Sequence, residues 1–330
     1  MSKLAQWEVV FEHADKLGLF LHFKLQEQEV DFLLDGGELG PAKQFYYREM
    51  IARFGHHLAM NWNIGEENGN TVEQRKDFAR FLKDVDPYKS PVIIHDAVNN
   101  KEELYGGLMG DENYNGASLQ TRPDRVFDDT LEWLERSREA GWTWIVANDE
   151  QNPAAVGVLP DSLDPSHDSI RKDVLWGNLM AGGAGVEYYF GNRYQQSDLT
   201  CVDYRSRENM WTQSKHAHDF FSKYVPFWTM RNKNFLLSTS TAHCLANDST
   251  FVIYFMNQEA HLRTLIDLPE DAIFQVQWFD PLEGGDLQVG SRQLIRGGSN
   301  VSIGDPPSPG DDGDRDWVAL VLKIHPRDGV

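Results

Sequence analysis

Two pairs of adjacent carboxylates stand out in the sequence, each placed at the end of an apolar segment. Glu66 and Glu67 occur in the run WNIGEEN, and Asp149 and Glu150 occur in the run ANDEQ. Hydrolysis of a glycosidic bond needs one carboxyl group as general acid and a second as nucleophile or base, facing each other across the sugar ring. The two pairs could supply those groups if the fold brings them together. Either pair alone is as readily structural, since acidic residues at strand ends often cap the next helix.

The segments around these residues alternate between helical and strand-like patterns. Apolar residues at helical spacing predict helices over residues 4–17, 41–54, 71–84, 101–105, 124–140, 168–181 and 205–223. Short apolar runs predict strands over residues 19–25, 57–64, 91–96, 116–120, 142–148 and 184–190. Apolar strands separated by helices predict a parallel sheet that is buried on both faces.

The placement of the polar residues favours a barrel over an open nucleotide-binding sheet. No GxGxxG or GxxxxGK[ST] turn follows any predicted strand. Polar residues gather instead just after the strand ends, at Glu66, Glu67, His95, Gln120 and Glu150. In barrel enzymes this end of the strands forms the active face. We therefore predict an α/β fold of the (β/α)8 TIM-barrel type.

The pattern changes after residue 227, which indicates a second domain. Short alternating segments are broken by Asp, Asn, Gly and Pro, as in TFVIYFMN and FQVQWFDP. This texture predicts an antiparallel β-sandwich. We place the barrel domain at 1–226 and the sandwich at 233–330, with a short linker between them.

Several residues near the strand ends are candidates for binding a sugar, because aromatic faces suit its C–H surface and amides or imidazoles bind its hydroxyls. We name Trp62, His95, Gln120, Asn148 and Tyr188 as this set. A structural role is the alternative for three of them. Trp62 is more often a core residue, and His95 is as readily a buried core histidine. Tyr188 and Tyr189 point to opposite sides of a strand, so at most one can face the barrel interior.

The composition of the chain excludes several classes of binding partner. The net charge of −20 argues against a nucleic acid, whose phosphates need Lys and Arg. No run is long and apolar enough for membrane insertion, and the first residues lack the apolar core of a signal peptide. The two cysteines, Cys201 and Cys244, form no metal-binding pattern, and we expect neither a metal nor a cofactor. A carbohydrate is the partner that fits best.

The run WNIGEEN resembles the WxxGNE segment at the end of the fourth strand in retaining barrel hydrolases of the clan that includes cellulases and β-galactosidases. With DPYKSPVIIHD, WIVANDEQNPAAVGV and QWFDPLEGG, it also resembles bacterial glycoside hydrolase-like proteins that carry a DUF5060 domain and a collagen-binding-type domain, related to the DUF4038 hydrolases. The resemblance implies Glu67 as general acid/base and Glu150 as nucleophile. Glu66, which stands where the clan has Asn, and Asp149 are the alternatives.

The resemblance carries further expectations. Relatives have a β-sandwich and two strand–helix units ahead of the point where this chain begins, so we expect a barrel truncated at its N-terminus, with the third to eighth strands present. Open edges of that kind could be covered by self-association. The relatives imply a secreted or periplasmic bacterial protein that acts on a plant or algal polysaccharide. The alternatives are an inactive barrel that binds carbohydrate and an adhesion role, by collagen binding, through the sandwich.

Overall fold

A computed structural model describes residues 2–97, 99–257, 263–308 and 315–324. The α-helices are α1 (Lys3–Leu17), α2 (Pro41–Phe54), α3 (Val72–Val85), α4 (Lys101–Tyr105), α5 (Val126–Glu139), α6 (Gly177–Ala181) and α7 (Glu208–Tyr224). The strands are β1 (Leu21–Lys24), β2 (Met60–Asn63), β3 (Val92–His95), β4 (Gly116–Thr121), β5 (Ile145–Gln151), β6 (Arg231–Asn232), β7 (Ala242–Ala246), β8 (Thr250–Phe255), β9 (Thr264–Phe279), β10 (Leu294–Ser302) and β11 (Trp317–Ile324). In the described ranges, no helix has both the length and the apolar character that crossing a bilayer requires.

Local sequence signals account for most of the helices, and the helices predicted over 41–54 and 101–105 are confirmed at their stated bounds. Helix α3 shows why. The Thr71 hydroxyl accepts a hydrogen bond from the Gln74 amide at 3.3 Å, and the Gln74 side chain accepts one from the Thr71 amide at 2.9 Å. This capping box begins the helix at the residue after Thr71. The prediction over 168–181 needs revision, because a π-helical segment, Ile170–Trp176, precedes the short α6.

The first sheet is parallel and curled, with its strands in the order β1-β2-β3-β4-β5. Its register pairs Leu21 with Met60, Trp62 with Val92 and Ile93 with Gly116. The side chains between this sheet and its helices form an apolar core. The sheet has five strands, so neither the predicted series of six nor a complete eight-stranded barrel is present in the described part of the chain.

The prediction of a strand over 184–190 is wrong, and Gln151 shows the physical reason. The Gln151 side chain donates to the carbonyl of Glu187 at 2.8 Å and accepts from the amide of Tyr189 at 3.0 Å. The Tyr189 carbonyl accepts from the amide of Val158 at 2.7 Å. These partners satisfy the backbone of the segment without a ladder, and only Val186 forms an isolated bridge.

The second sheet is antiparallel, in the order β10-β9-β11-β8-β7-β6. Strand β11 lies inside it and pairs with β8 on one side and β9 on the other. Apolar clusters cover both faces. We predicted two stacked sheets, whereas the described residues after 227 form this one six-stranded sheet. Alternating apolar and polar residues predict that a segment forms a strand, but they do not predict whether the strands form one sheet or two stacked sheets.

The chain separates into two compact units. The first comprises Met1–Thr121 and Glu132–Glu150, and the second comprises Arg122–Leu131 and Gln151–Val330. The packing therefore groups residues 151–226 with the antiparallel sheet, whereas the sequence placed the boundary near 227–232. In the second unit, buried Arg171 forms two hydrogen bonds to buried Asp316, at 2.9 and 3.0 Å. The two residues are 145 positions apart in the sequence.

Candidate functional site

The carboxyl ends of the five parallel strands bring together a cluster of polar side chains. Parallel strands all end at the same edge of their sheet, so residues far apart in sequence meet there. The residues of this cluster are His22, Lys24, Glu66, His95, Ser118, Asp149 and Glu150. All belong to the first compact unit.

His95, the last residue of β3, is at the centre of the cluster and is fully buried. Its Nε2 atom lies 3.2 Å from Oε1 of Glu66 and 3.6 Å from Oε2 of Glu150. The side chains of Glu66 and Glu150 are 13% and 12% exposed, so both can be reached from solvent. Two carboxylates from different strands therefore face one imidazole nitrogen.

The hydrogen bonds of Ser118 define where the protons of His95 lie. The Ser118 hydroxyl donates its single hydrogen to Oδ2 of Asp149. Its oxygen must therefore accept the 2.8 Å hydrogen bond from Nδ1 of His95. Nε2 then faces two carboxylates, an arrangement that a second ring proton satisfies. Burial lowers the pKa of His95, but Glu150 and Glu66 outweigh it and raise the pKa above its ordinary value. His95 is thus favoured as an imidazolium.

His22 on β1 is in the opposite state. The Asn63 side-chain oxygen accepts from the Gly65 amide at 3.1 Å, so its nitrogen must donate to Nε2 of His22 at 2.9 Å. Nε2 is therefore an acceptor, and Nδ1 carries the proton and lies 3.4 Å from Asp149. Burial lowers the pKa of His22 in spite of the charge on Asp149. A neutral His22 therefore orients Asp149, which in turn orients Ser118.

Glu66 and Glu67 differ in their surroundings. Glu66, named from the sequence as an alternative, lies opposite Glu150 and forms an ion pair of 2.9 Å with Lys24. Glu67, named as the acid/base, is half-buried and has a left-handed backbone with φ of 45°. No hydrogen bond or ion pair involves the Glu67 side chain within the described ranges. The contact seen with His95 thus belongs to Glu66.

Two of the predicted sugar-binding amides are buried. Asn148 donates to the carbonyls of Leu119 at 3.0 Å and Glu150 at 3.2 Å, so it fixes the end of β5 and does not face a ligand. Gln120 is 2% exposed. Its Oε1 is also buried and has no hydrogen-bond partner in the described part of the chain.

Two predicted aromatic sugar contacts are occupied elsewhere. Trp62 is fully buried in the core and donates from its indole nitrogen to Asp86 at 3.0 Å. The hydroxyl of Tyr188 pairs with that of Ser214 on α7 at 2.8 Å, and its ring packs edge-on against Trp211. The structure therefore places both side chains in packing contacts, and their assignment as sugar-binding residues stays a prediction.

The sequence reasoning missed Lys24, Ser118 and the pair formed by Asp96 and Lys101. Burial raises the pKa of Asp96, while Lys101, 3.0 Å away, opposes that rise. A polar residue in the apolar runs of β1 and β4 was the available signal for Lys24 and Ser118. Asp96 had the strand-end signal, because it directly follows β3, but nothing local marked Lys101 on the short helix α4 as its partner.

The same cluster has the chemistry of a cation site. One ligating atom each from Glu66, His95 and Glu150 lies within 4.8 Å of the other two. A proton on Nε2 of His95 would offset the negative charge of the two carboxylates without a bound cation.

No family model matches the chain, and no curated protein matches its sequence. Among solved structures, a protein named as an α-L-fucosidase from Bacteroides thetaiotaomicron has a TM-score of 0.35 and 11% identity, over 68% of this chain and 88% of its own. A glycoside hydrolase family 97 enzyme from Pseudoalteromonas sp. strain K8 has a TM-score of 0.42 and 7% identity, over 98% of this chain and 49% of its own. A family 51 α-L-arabinofuranosidase from Bifidobacterium longum has a TM-score of 0.36 and 10% identity, over 96% and 78%. This chain spans about half the length of the family 97 enzyme.

Proposed function

We propose that this chain hydrolyses O-glycosidic bonds in a carbohydrate by a retaining mechanism with two carboxylates. The observation that carries the proposal is the convergence of Glu66 and Glu150, from different strands, on Nε2 of His95. Both carboxylates are at the edge of a parallel sheet where barrel enzymes place their catalytic groups. Both are also accessible enough to meet a ligand.

The spacing of the acidic groups supports retention over inversion. The facing oxygens of Glu66 and Glu150 lie within 4.8 Å of each other. Retaining enzymes have carboxyl groups about 5 to 5.5 Å apart, whereas inverting enzymes need a wider gap that admits a water molecule. This spacing is that of Glu66, so it supports retention with Glu66, the alternative acid/base. For Glu67, retention rests on the resemblance of WNIGEEN to the retaining clan.

Glu150 is the nucleophile and Glu67 the acid/base in this proposal. Glu67 donates a proton to the leaving oxygen while a Glu150 oxygen attacks the anomeric carbon and forms a glycosyl ester. Glu67 then takes a proton from water, and the water oxygen attacks the same carbon and releases Glu150. Glu66 already contacts Lys24 and His95 and would have to exchange those partners, whereas Glu67 has none of this kind to exchange.

Leaving-group kinetics on aryl glycosides test these roles. Glu150→Gln should abolish turnover for every leaving group, because no ester can form. Glu67→Gln should lose about 10²- to 10⁴-fold on poor leaving groups. The rate of this variant should fall much less on dinitrophenyl glycosides, whose leaving group needs no proton. Azide should restore the second step, in which the glycosyl ester is broken, because azide attacks without a general base. Glu73→Gln on the exposed surface of α3 is the matched control.

The outcomes separate the candidates. If leaving-group dependence and azide rescue appear in Glu66→Gln and not in Glu67→Gln, the acid/base is Glu66. A fully active Glu150→Gln variant would end the proposal. Melting curves of each variant show whether a loss of activity reflects a loss of fold.

Carbohydrate binding without turnover is the second candidate function. It is favoured by the five strands of the described sheet, which enclose less of a ligand than eight do. A glycan array with the whole chain tests it: binding with no hydrolysis of any bound glycan supports this alternative. Binding to collagen and to no glycan would instead support the adhesion role.

A further inference from the structure

A second cluster of metal-ligating side chains lies outside the proposed active site. Glu8 is on α1, and His56 and His57 are in the turn between α2 and β2. Oε1 of Glu8 lies 3.1 Å from Nε2 of His56 and 3.8 Å from Nε2 of His57. The two imidazole rings stack with their centroids 4.5 Å apart. Both rings therefore present a nitrogen to the same carboxylate oxygen.

The second nitrogen of His57 is already engaged. Nδ1 of His57 lies 2.7 Å from Oδ2 of Asp15, and this short contact places the ring proton on Nδ1. Nε2 of His57 then carries a lone pair. It is buried and has no hydrogen-bond partner among the described residues. A histidine that donates one N–H to a carboxylate and leaves the other nitrogen open has the typical arrangement of a metal ligand.

We propose that Glu8, His56 and His57 bind one divalent transition-metal ion, for which Zn²⁺ is the best fit. Two imidazole nitrogens and one carboxylate oxygen form a common zinc ligand set. Two ligands of a tetrahedral zinc ion, each about 2.05 Å from it, are about 3.3 Å apart. The observed separations of 3.1 and 3.8 Å bracket that value. The fourth position is left to water.

The exposure of the ligands suits such a site. The side chain of His57 is 1% exposed and fixed, whereas those of His56 and Glu8 are 50% and 27% exposed. The ion can therefore enter from solvent on the side of His56 and Glu8 and bind His57, whose side chain is already held in place. The net charge of −20 also raises the local concentration of cations.

The ion would tie α1 to the sheet. No residue of α1 is fully buried, and Phe11 is the aromatic side chain by which α1 contacts the rings of Phe23 and Phe54. A bond from Glu8 through the metal to His56 and His57 adds a cross-link between the helix and the turn before β2. The site is thus structural in this proposal and uses none of the residues assigned to catalysis.

Titration of the metal-free chain with ZnSO₄, followed by calorimetry, tests the proposal. One ion should bind per chain, and loss of a ligand in Glu8→Gln or His56→Ala should weaken that binding at least about tenfold. His13→Ala, on another face of α1, and Glu73→Gln are the matched controls and should bind like the wild type. Zinc should raise the melting temperature of the wild type and the controls more than that of the two ligand variants.

A spectroscopic measurement gives an independent readout. Co²⁺ in place of Zn²⁺ should produce a visible absorption band in the wild-type chain that is lost in His56→Ala. Zinc binding of unchanged strength in Glu8→Gln and His56→Ala would place the ion elsewhere and overturn the proposal. So would the absence of a stoichiometric binding event in the wild type.

Discussion

The proton on His95 connects most of the candidate site. Ser118 and Asp149 fix the Nδ1 side of its ring, and Glu66 and Glu150 face the Nε2 side. Without a charge on His95, its lone pair would face two carboxylates in a buried position, which is unfavourable. The state of this histidine should therefore affect both the stability of the first unit and its reactivity.

We expect the stability contribution of His95 to depend on pH. Because its pKa is raised above the ordinary 6.5, the contribution is complete below about pH 6.5 and is lost as the pH rises through the folded-state pKa. Urea unfolding of the wild type and His95→Gln from pH 5 to 9 measures it. The difference in free energy of unfolding should shrink with rising pH. A difference that grows with pH would contradict the assignment of an imidazolium.

At this scale the sequence predicted types of residue better than directions of side chains. The acids at the ends of β2 and β5, and His95, are in the cluster as their positions indicated. Trp62 and Tyr188 are not in the cluster, because the ring of Trp62 enters the core and Tyr188 lies in a segment that forms no strand. The choice between Glu66 and Glu67 depended on tertiary contacts with Lys24 and His95 that no local pattern encodes.

Among the elements, the segment after α6 shows how a side chain can replace a strand partner. Gln151, at the end of β5, is 1% exposed and holds the backbone of Glu187 and Tyr189. The helices around it were predictable because caps and apolar spacing are local. The strand was not, because pairing depends on a distant partner.

Gln151→Ala should therefore destabilise the second unit. The amide of Tyr189 and the carbonyl of Glu187 would lose their partners, at a cost of about 1–3 kcal/mol. Chemical denaturation measures this, with exposed Gln195→Ala as the control. An equally small effect of the two variants would mean that water replaces the Gln151 side chain.

Strand β7 contains a second histidine, His243, whose pKa is shifted. Asn234 donates to Nδ1 of His243, whose ring stacks on Phe127 with centroids 3.6 Å apart. Burial lowers the pKa of His243 to about 4. The neutral ring therefore contributes stability above pH 6.5 that is lost as the pH falls toward 4.

The size of this loss is open to measurement. A lowering of the pKa from 6.5 to about 4 corresponds to about 3 kcal/mol. His243→Phe should keep the stacking and remove most of that acid sensitivity. Free energies of unfolding at pH 7 and pH 4 give the comparison, and a variant that loses as much stability as the wild type on acidification would refute it.

For the whole molecule, the open edge of the parallel sheet is the feature with a measurable effect. In the described ranges, β1 pairs only with β2, and Leu19 and Phe20 beside it are 55% and 58% exposed. We expect this edge to promote self-association with a second copy of the chain.

Light scattering across a concentration series tests this expectation. The Phe20→Lys variant should be more monomeric than the wild type at each concentration. The Leu199→Lys variant, changed at an exposed position of the other unit, should behave like the wild type. A wild-type monomer at every concentration, with a cooperative melt at high temperature, would show that the edge needs no cover.

The position of β11 has a consequence for synthesis on the ribosome. This strand is made after β9 and β10, yet it inserts between β9 and β8, and Asp316 just before it completes the buried pair with Arg171. Until residue 324 has left the exit tunnel, β8 and the far half of β9 each have an unpaired edge, and Arg171 has Asp168 and the Ser166 carbonyl but not Asp316 as partners. Nascent chains of the second unit should thus depend on chaperones until translation has passed β11, and should be degraded when it stops earlier.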